Sequence, residues 1–154
     1  MRPRLLRAAA GFTMAEILIV LTILGVLAAI AAPNLMEMVR TQRIKTASFD
    51  VFSSMNVARS EAIKRNAKVS VRPNGGDWSK GWQIYDTNGT VIKDQPGWDD
   101  LQLAGPGMVR FTSSGRLDGA VASFNLTARD IPASKYRCIM LDTSGRAVSK
   151  EGAC

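Results

Sequence analysis

The sequence predicts an α+β fold: one long N-terminal helix followed by an antiparallel β-sheet. Three patterns predict it. Residues 17–32 carry no charge, with Thr22 as the only polar side chain. Apolar residues then recur at steps of three and four at Ile44, Ala47, Val51, Met55, Ala58 and Ala62, the period of a helix with one buried face. From Lys68 onward, short Val-, Ile-, Tyr- and Phe-containing runs alternate with Gly-, Asn- and Ser-containing turns, the grammar of short strands.

The chain begins with Arg2, Arg4 and Arg7, followed by Ala8-Ala9-Ala10 and no acid. This is the basic start of an exported protein. The apolar run from Phe12 to Ala32 spans about 31 Å as a helix, which matches a bilayer core. The arginines favour a cytoplasmic N-terminus, with the remainder on the far side of the membrane. An ordinary cleaved signal peptide is the alternative, with a small-residue site around Ala28-Ala29-Ile30-Ala31-Ala32. The length of the run and its single acid, Glu16, argue for a retained segment. A carboxylate inside a membrane segment costs roughly 2.5–3.5 kcal/mol, so it marks a functional site.

The amphipathic half is predicted to run to Asn66, a residue type suited to a helix end. Phe52 and Ile63 widen its apolar stripe, and Arg43, Lys45, Asp50, Arg59, Lys64 and Arg65 occupy the other side. Unbroken, Phe12 to Asn66 would measure about 80 Å. Pro33 is expected to kink it, since the ring displaces one backbone hydrogen bond. Strands are predicted around Val69–Val71, Trp82–Tyr85, Val91–Ile92, Met108–Phe111, Phe124–Leu126, Tyr136–Leu141 and Ala147–Val148. Asn88-Gly89 is the strongest hairpin cue among the turns. Ser114-Gly115-Arg116 and Ser144-Gly145-Arg146 read as repeated hairpin chemistry. The segment 86–107 is otherwise uninformative.

The net charge is +7, and histidine is absent. That excludes a His-based triad or proton shuttle and most zinc sites. No Gly-rich phosphate loop follows a strand, and no activated nucleophile stands out, so the chain is not expected to be an enzyme or to bind a cofactor or metal. Asp99-Asp100 is too sparse a ligand set for calcium. Cys138 and Cys154 are the only cysteines. Beyond a membrane segment they read as one disulfide in an oxidising compartment, the alternative being two separate thiols. Trp78, Trp82 and Trp98 are expected in the core or packed under loops. Asn88-Gly89-Thr90 and Asn125-Leu126-Thr127 match a glycosylation triplet that arises readily by chance.

Gly11-Phe12-Thr13-Met14-Ala15-Glu16-Ile17-Leu18-Ile19-Val20-Leu21, with Pro33-Asn34 further on, resembles the cleavage and assembly motif of type IV pilins and of the pseudopilins of type II secretion. The resemblance implies the type IV pilin fold. It also implies cleavage by a prepilin peptidase between Gly11 and Phe12, and N-methylation of the new Phe12 amine. Glu16 and Pro33 would serve subunit assembly, Glu16 facing the Phe12 amine of a neighbouring subunit. A narrower likeness covers Ala58–Asn66, Gly81-Trp82 and Phe111–Arg116, which is similar to the minor pilins and minor pseudopilins of the FimU, FimT and GspH group.

The implied organisation is a cytoplasmic leader over 1–11, a transmembrane and filament-core helix over 12–33, the amphipathic half over 34–66 and a periplasmic β-domain over 67–154. Implied partners are the prepilin peptidase, other major and minor pilin subunits, an inner-membrane assembly platform, and membrane lipid before assembly. The chain would pass once through the bacterial inner membrane and then join a filament at the cell surface. The expected role is a minor pilin that primes a type IV pilus or sits near its tip. The alternatives are a minor pseudopilin of type II secretion and a DNA-binding pilin for natural transformation. For DNA, Arg137, Arg146 and Lys150 could contact phosphates. However, Gly145-Arg146-Ala147-Val148 lacks the second Arg of the family's Gly-Arg-x-Arg, and no aromatic strip accompanies it.

Overall fold

The computed structural model describes residues 12–154, with the side chains of residues 31–34 outside the description. Its main helix, α1, spans Met14–Arg65. Contacts divide the chain into two compact units, residues up to Met36 and Glu37–Cys154. Gly11 lies outside the described residues, as do the predicted leader, its arginines and the Pro33 side chain. The bend expected at Pro33 falls next to the boundary between the two units.

Within the first unit, α1 is apolar on every side: Leu18, Ile19, Leu24, Leu27 and Ile30 are all more than half exposed. Within the second, the stripe Ile44, Ala47, Val51, Met55, Ala58 and Ala62 is buried completely. Burial of that face, at about 25 cal/mol per Å², is what holds this half of the helix in place. The C-terminus stops by a Schellman turn. Ala67 N–H donates to Ala62 O at 3.1 Å, Asn66 N–H donates to Ile63 O at 3.1 Å, and Asn66 takes the left-handed φ of 49°.

Eight strands follow: β1 (Val69–Asn74), β2 (Asp77–Tyr85), β3 (Val91–Pro96), β4 (Leu101–Ala104), β5 (Val109–Phe111), β6 (Ala122–Ala128), β7 (Arg137–Leu141) and β8 (Ala147–Glu151). The expected antiparallel sheet is divided in two. One sheet has the order β3-β2-β1-β5, the other β4-β6-β7-β8, and every pairing is antiparallel. Segment 86–107, read as the least informative, supplies all of β3 and all of β4. Leu101 and Leu103 alternate inward on β4, but two leucines make too short a period to detect in sequence.

Both sheets turn an apolar face to one core. It is built from the α1 stripe, Val69 and Val71 of β1, Trp82 and Ile84 of β2, Val109 and Phe111 of β5, Phe124 and Leu126 of β6, and Ile139 and Leu141 of β7. Trp78 and Trp82 are buried and Trp98 partly so. Trp78 meets Phe124 edge-on, with centroids 4.8 Å apart, and its Nε1–H donates to Pro106 O at 2.6 Å. These contacts give the aromatic pair both packing and a satisfied polar end.

Three turns share one design. Thr112, Asp142 and Asp86 each donate N–H to the carbonyl four residues on, and each accepts from the glycine three residues on. The side chains of all three also receive the N–H of residue i+4. Each is a three-residue loop with glycine in the left-handed region: Gly115 at φ +75°, Gly145 at +79° and Gly89 at +81°. Asn88-Gly89 therefore sits in this longer turn, not in a two-residue hairpin. Two of the turns lie back to back. A Cβ on Gly145 would overlap the Gly115 carbonyl oxygen, and one on Gly115 would lie 2.6 Å from Ile63 Cδ1 on the helix. Leu117 N–H also donates to Thr143 O at 3.3 Å. The repeated Ser-Gly-Arg sequence thus places two bare backbones where the two sheets and the helix meet.

Candidate functional site

Glu16 lies in the first turn of α1. Phe12 and Thr13 precede the helix, and Thr13 Oγ1 accepts the Glu16 N–H at 3.2 Å, an N-cap bond. A negative side chain at a helix N-terminus is favoured by the helix dipole. Glu16 is exposed, Phe12 is 80% exposed, and no cation among the described residues lies within ion-pair distance of Glu16. The geometry is a carboxylate at the head of a bare apolar helix, four residues from Phe12. By length and hydropathy no single helix among the described residues is long and apolar enough to cross a membrane, whereas Met14–Ile30 and Leu35–Arg65 meet that test when taken together.

The three basic residues considered for phosphate contact do not converge. On β7, Arg137 shares the inward face with Ile139 and Leu141, and its guanidinium pairs with Glu151 at 2.7 Å. Lys150 stands opposite Cys138 in the β7–β8 ladder, on the other face of the sheet. Arg146 lies in the turn and pairs with Asp142 at 3.5 Å. Hydrogen bonding from Ser144, with Arg146 beside it, holds the Asp142 carboxyl below the usual range.

The basic residues at the end of α1 are similarly engaged. Glu61 binds Arg65 at 2.7 Å and Lys64 at 3.5 Å, and the Arg65 hydrogen bond lowers its pKa. Lys68 pairs with Asp118 at 2.9 Å and likewise depresses that carboxyl. Arg59 pairs with neither Asp50 nor Glu61: Glu61 is already doubly paired, and Arg59 lies against Gly115. Asp50 is raised by burial, an effect Lys93 partly offsets. Asp100 pairs with Arg43, and among the described residues no acidic cluster could hold a metal. Cys138 and Cys154 form a disulfide, with Cα atoms 5.0 Å apart.

Sequence reasoning missed a surface around β8. Its outer side is a groove of about 540 Å³ formed by Val121, Met140, Val148 and the Cys154 end of the disulfide. Its helix side is a groove of about 300 Å³ formed by Lys45, Phe49, Phe52 and Ser149. The available signal was Ile139-Met140-Leu141, where apolar residues fall on both faces of one strand.

The N-terminal segment matches the prokaryotic N-terminal methylation motif over residues 6–32. No curated protein matches the chain in sequence. In structure it is similar to the type IV minor pilin FimU of Pseudomonas aeruginosa (strain PAO1) in two crystal forms. One has 18% identity and a TM-score of 0.63 over 73% of this chain and 92% of that one. The other has 20% identity and a TM-score of 0.60 over 69% and 91%. That likeness shows a shared fold: a long helix packed on antiparallel sheets. The profile described as type II transport protein GspH matches residues 48–145; with the methylation motif ahead of it, the chain belongs to the GspH family of minor pilins and pseudopilins.

Proposed function

We propose that this protein is a minor pilin of a type IV pilus, priming filament assembly or sitting near the tip. Proteins of its family are structural subunits, not enzymes. The observation that carries the proposal is the apolar helix headed by Glu16. Its exposed leucines, isoleucines and valines need a cover, and a bilayer and then a bundle of neighbouring helices provide one in turn. Cleavage between Gly11 and Phe12 frees an ammonium at the head of the helix, which is then methylated. In the filament, that charge on one subunit meets Glu16 of the next. Each charge would be costly to bury alone, so the pair selects the axial position at which a subunit leaves the membrane. Pro33 serves subunit assembly together with Glu16. Before assembly the chain passes once through the inner membrane, with residues 1–11 in the cytoplasm and 67–154 in the periplasm.

The pilus is preferred over the type II secretion pseudopilus because the solved structures that this chain resembles are those of a type IV minor pilin. DNA capture is not favoured, because Arg137 and Arg146 are both ion-paired and Arg137 and Lys150 occupy opposite faces of a sheet. Deleting the gene should reduce pili on the cell surface, and the protein should co-purify with sheared pili. Normal piliation with a block in type II secretion would select the pseudopilin reading instead.

A further inference from the structure

We infer that β8 is an acceptor edge that binds an extended segment of another subunit of the same filament by strand addition; this rests on the filament reading above. β8 is the end strand of its sheet, hydrogen-bonded on one side to β7 alone. Four of its five residues are exposed. The ladder parity identifies which backbone groups are free. Asp142 N–H donates to Arg146 O, and Gly152 N–H donates to Tyr136 O at 2.9 Å. In the same register, Met140 faces Val148 and Cys138 faces Lys150. Hydrogen-bonded pairs alternate with non-bonded ones. So Val148 and Lys150 spend their backbone groups on β7, and Ala147, Ser149 and Glu151 point theirs outward.

The other strand ends are guarded. β3 ends in Pro96 and carries Lys93 and Asp94, as edge strands do when they must not pair. β5 has only three residues, and Phe111 is already bridged to Leu117. β4 packs against β2. β8 has a groove on each of its faces.

An added strand would send alternate side chains to opposite faces. Beside Val148, the outer groove of Met140 and Val121 takes an aliphatic residue. Lys150 has no acidic partner among the described residues, and it selects an acid directly opposite. The acid and the aliphatic residue are therefore two positions apart. The residue between them faces Ser149, Phe49 and Lys45, the last also without an acid partner. The occupant is an acidic, aliphatic strand from a neighbouring pilin-like subunit, not a helix and not a lipid.

The test uses the full-length chain in its own bacterium, with a benzophenone amino acid placed at Lys150, at Leu24 in the apolar helix, or at Arg72 on the other sheet. The Lys150 probe is expected to crosslink to a strand of another filament subunit bearing an acid and an aliphatic residue two apart. The Arg72 probe should not mark that segment. Ser149→Pro removes an outward N–H that β7 does not use, and should cut the Lys150 crosslink at least about tenfold. Ser149→Ala keeps the N–H and should retain it. The Leu24 crosslink reports that Ser149→Pro protein still assembles; Glu151→Pro, which removes another outward N–H, replaces it if it does not. A Lys150 crosslink to lipid, to a helix or to a second copy of this chain overturns the inference, as does one unaffected by proline. Leu24 crosslinks without a Lys150 crosslink overturn it too while leaving the filament reading intact. Absence of both defeats the filament reading itself.

Discussion

The contact between the two Ser-Gly-Arg turns can be tested by one methyl group. In Gly145→Ala, the backbone must hold an L-residue at φ +79°, which costs about 1–2 kcal/mol. The added Cβ also overlaps the Gly115 carbonyl oxygen, part of a backbone that is itself pressed against Ile63. Overpacking of this kind adds about 1–3 kcal/mol, for a total of about 2–5 kcal/mol. Gly89 is the internal control. It occupies the same position in an equivalent turn at φ +81°, but a Cβ there meets nothing within 4 Å. Gly89→Ala should therefore cost only the backbone share, about 1–2 kcal/mol. The assay is urea unfolding of the unit Glu37–Cys154 with its disulfide intact. Midpoints should fall in the order wild type, Gly89→Ala, Gly145→Ala, with an unchanged slope. Equal losses for the two variants would refute the claim that the turns lock the sheets together.

Three further outcomes are expected. Reducing the Cys138–Cys154 disulfide, which spans a separation of 16 residues, should lower stability by about 3 kcal/mol, read as a drop in urea midpoint under reductant. Burial raises the folded pKa of Asp50, so its ionised form is a net cost that appears as pH rises through and above the ordinary carboxylate range. Asp50→Asn should accordingly stabilise at pH 7, and the gain should vanish in titrations carried below that range. Asp118, Asp142 and Glu61 have depressed values and work in the opposite sense, their contribution being present above that range and lost as pH falls through their folded pKa. Glu16→Ala should still be cut after Gly11 but be depleted from sheared filaments by roughly tenfold or more, because leaving the partner charge buried alone costs about 3–5 kcal/mol. Quantitative mass spectrometry of cell and filament fractions reads both results.

The helix and its buried stripe were legible because a period of three and four persists from Ile44 to Ala62 and nothing interrupts it. The end at Asn66 was legible because few residues accept a left-handed φ. The turns were legible as turns, but Asn88-Gly89 suggested a shorter loop than the one formed; the deciding residue was Asp86, whose side chain holds Thr90 N–H. The division into two sheets was not legible. It depends on which strands pair, and β4, with two inward leucines, is too short to show a period. The β8 surface was hidden for a related reason. Val148 and Lys150 look like ordinary edge residues until the ladder parity shows which neighbouring N–H groups are unspent. The acid in the apolar run was legible in the sequence, since no packing argument explains a carboxylate there.

The most direct test of the account is intact-mass and N-terminal analysis of the protein recovered from filaments. It predicts a mature chain that begins at Phe12 with a methylated amine and keeps the apolar helix with Glu16. A mature chain that begins after Ala32, with that helix removed, would contradict it.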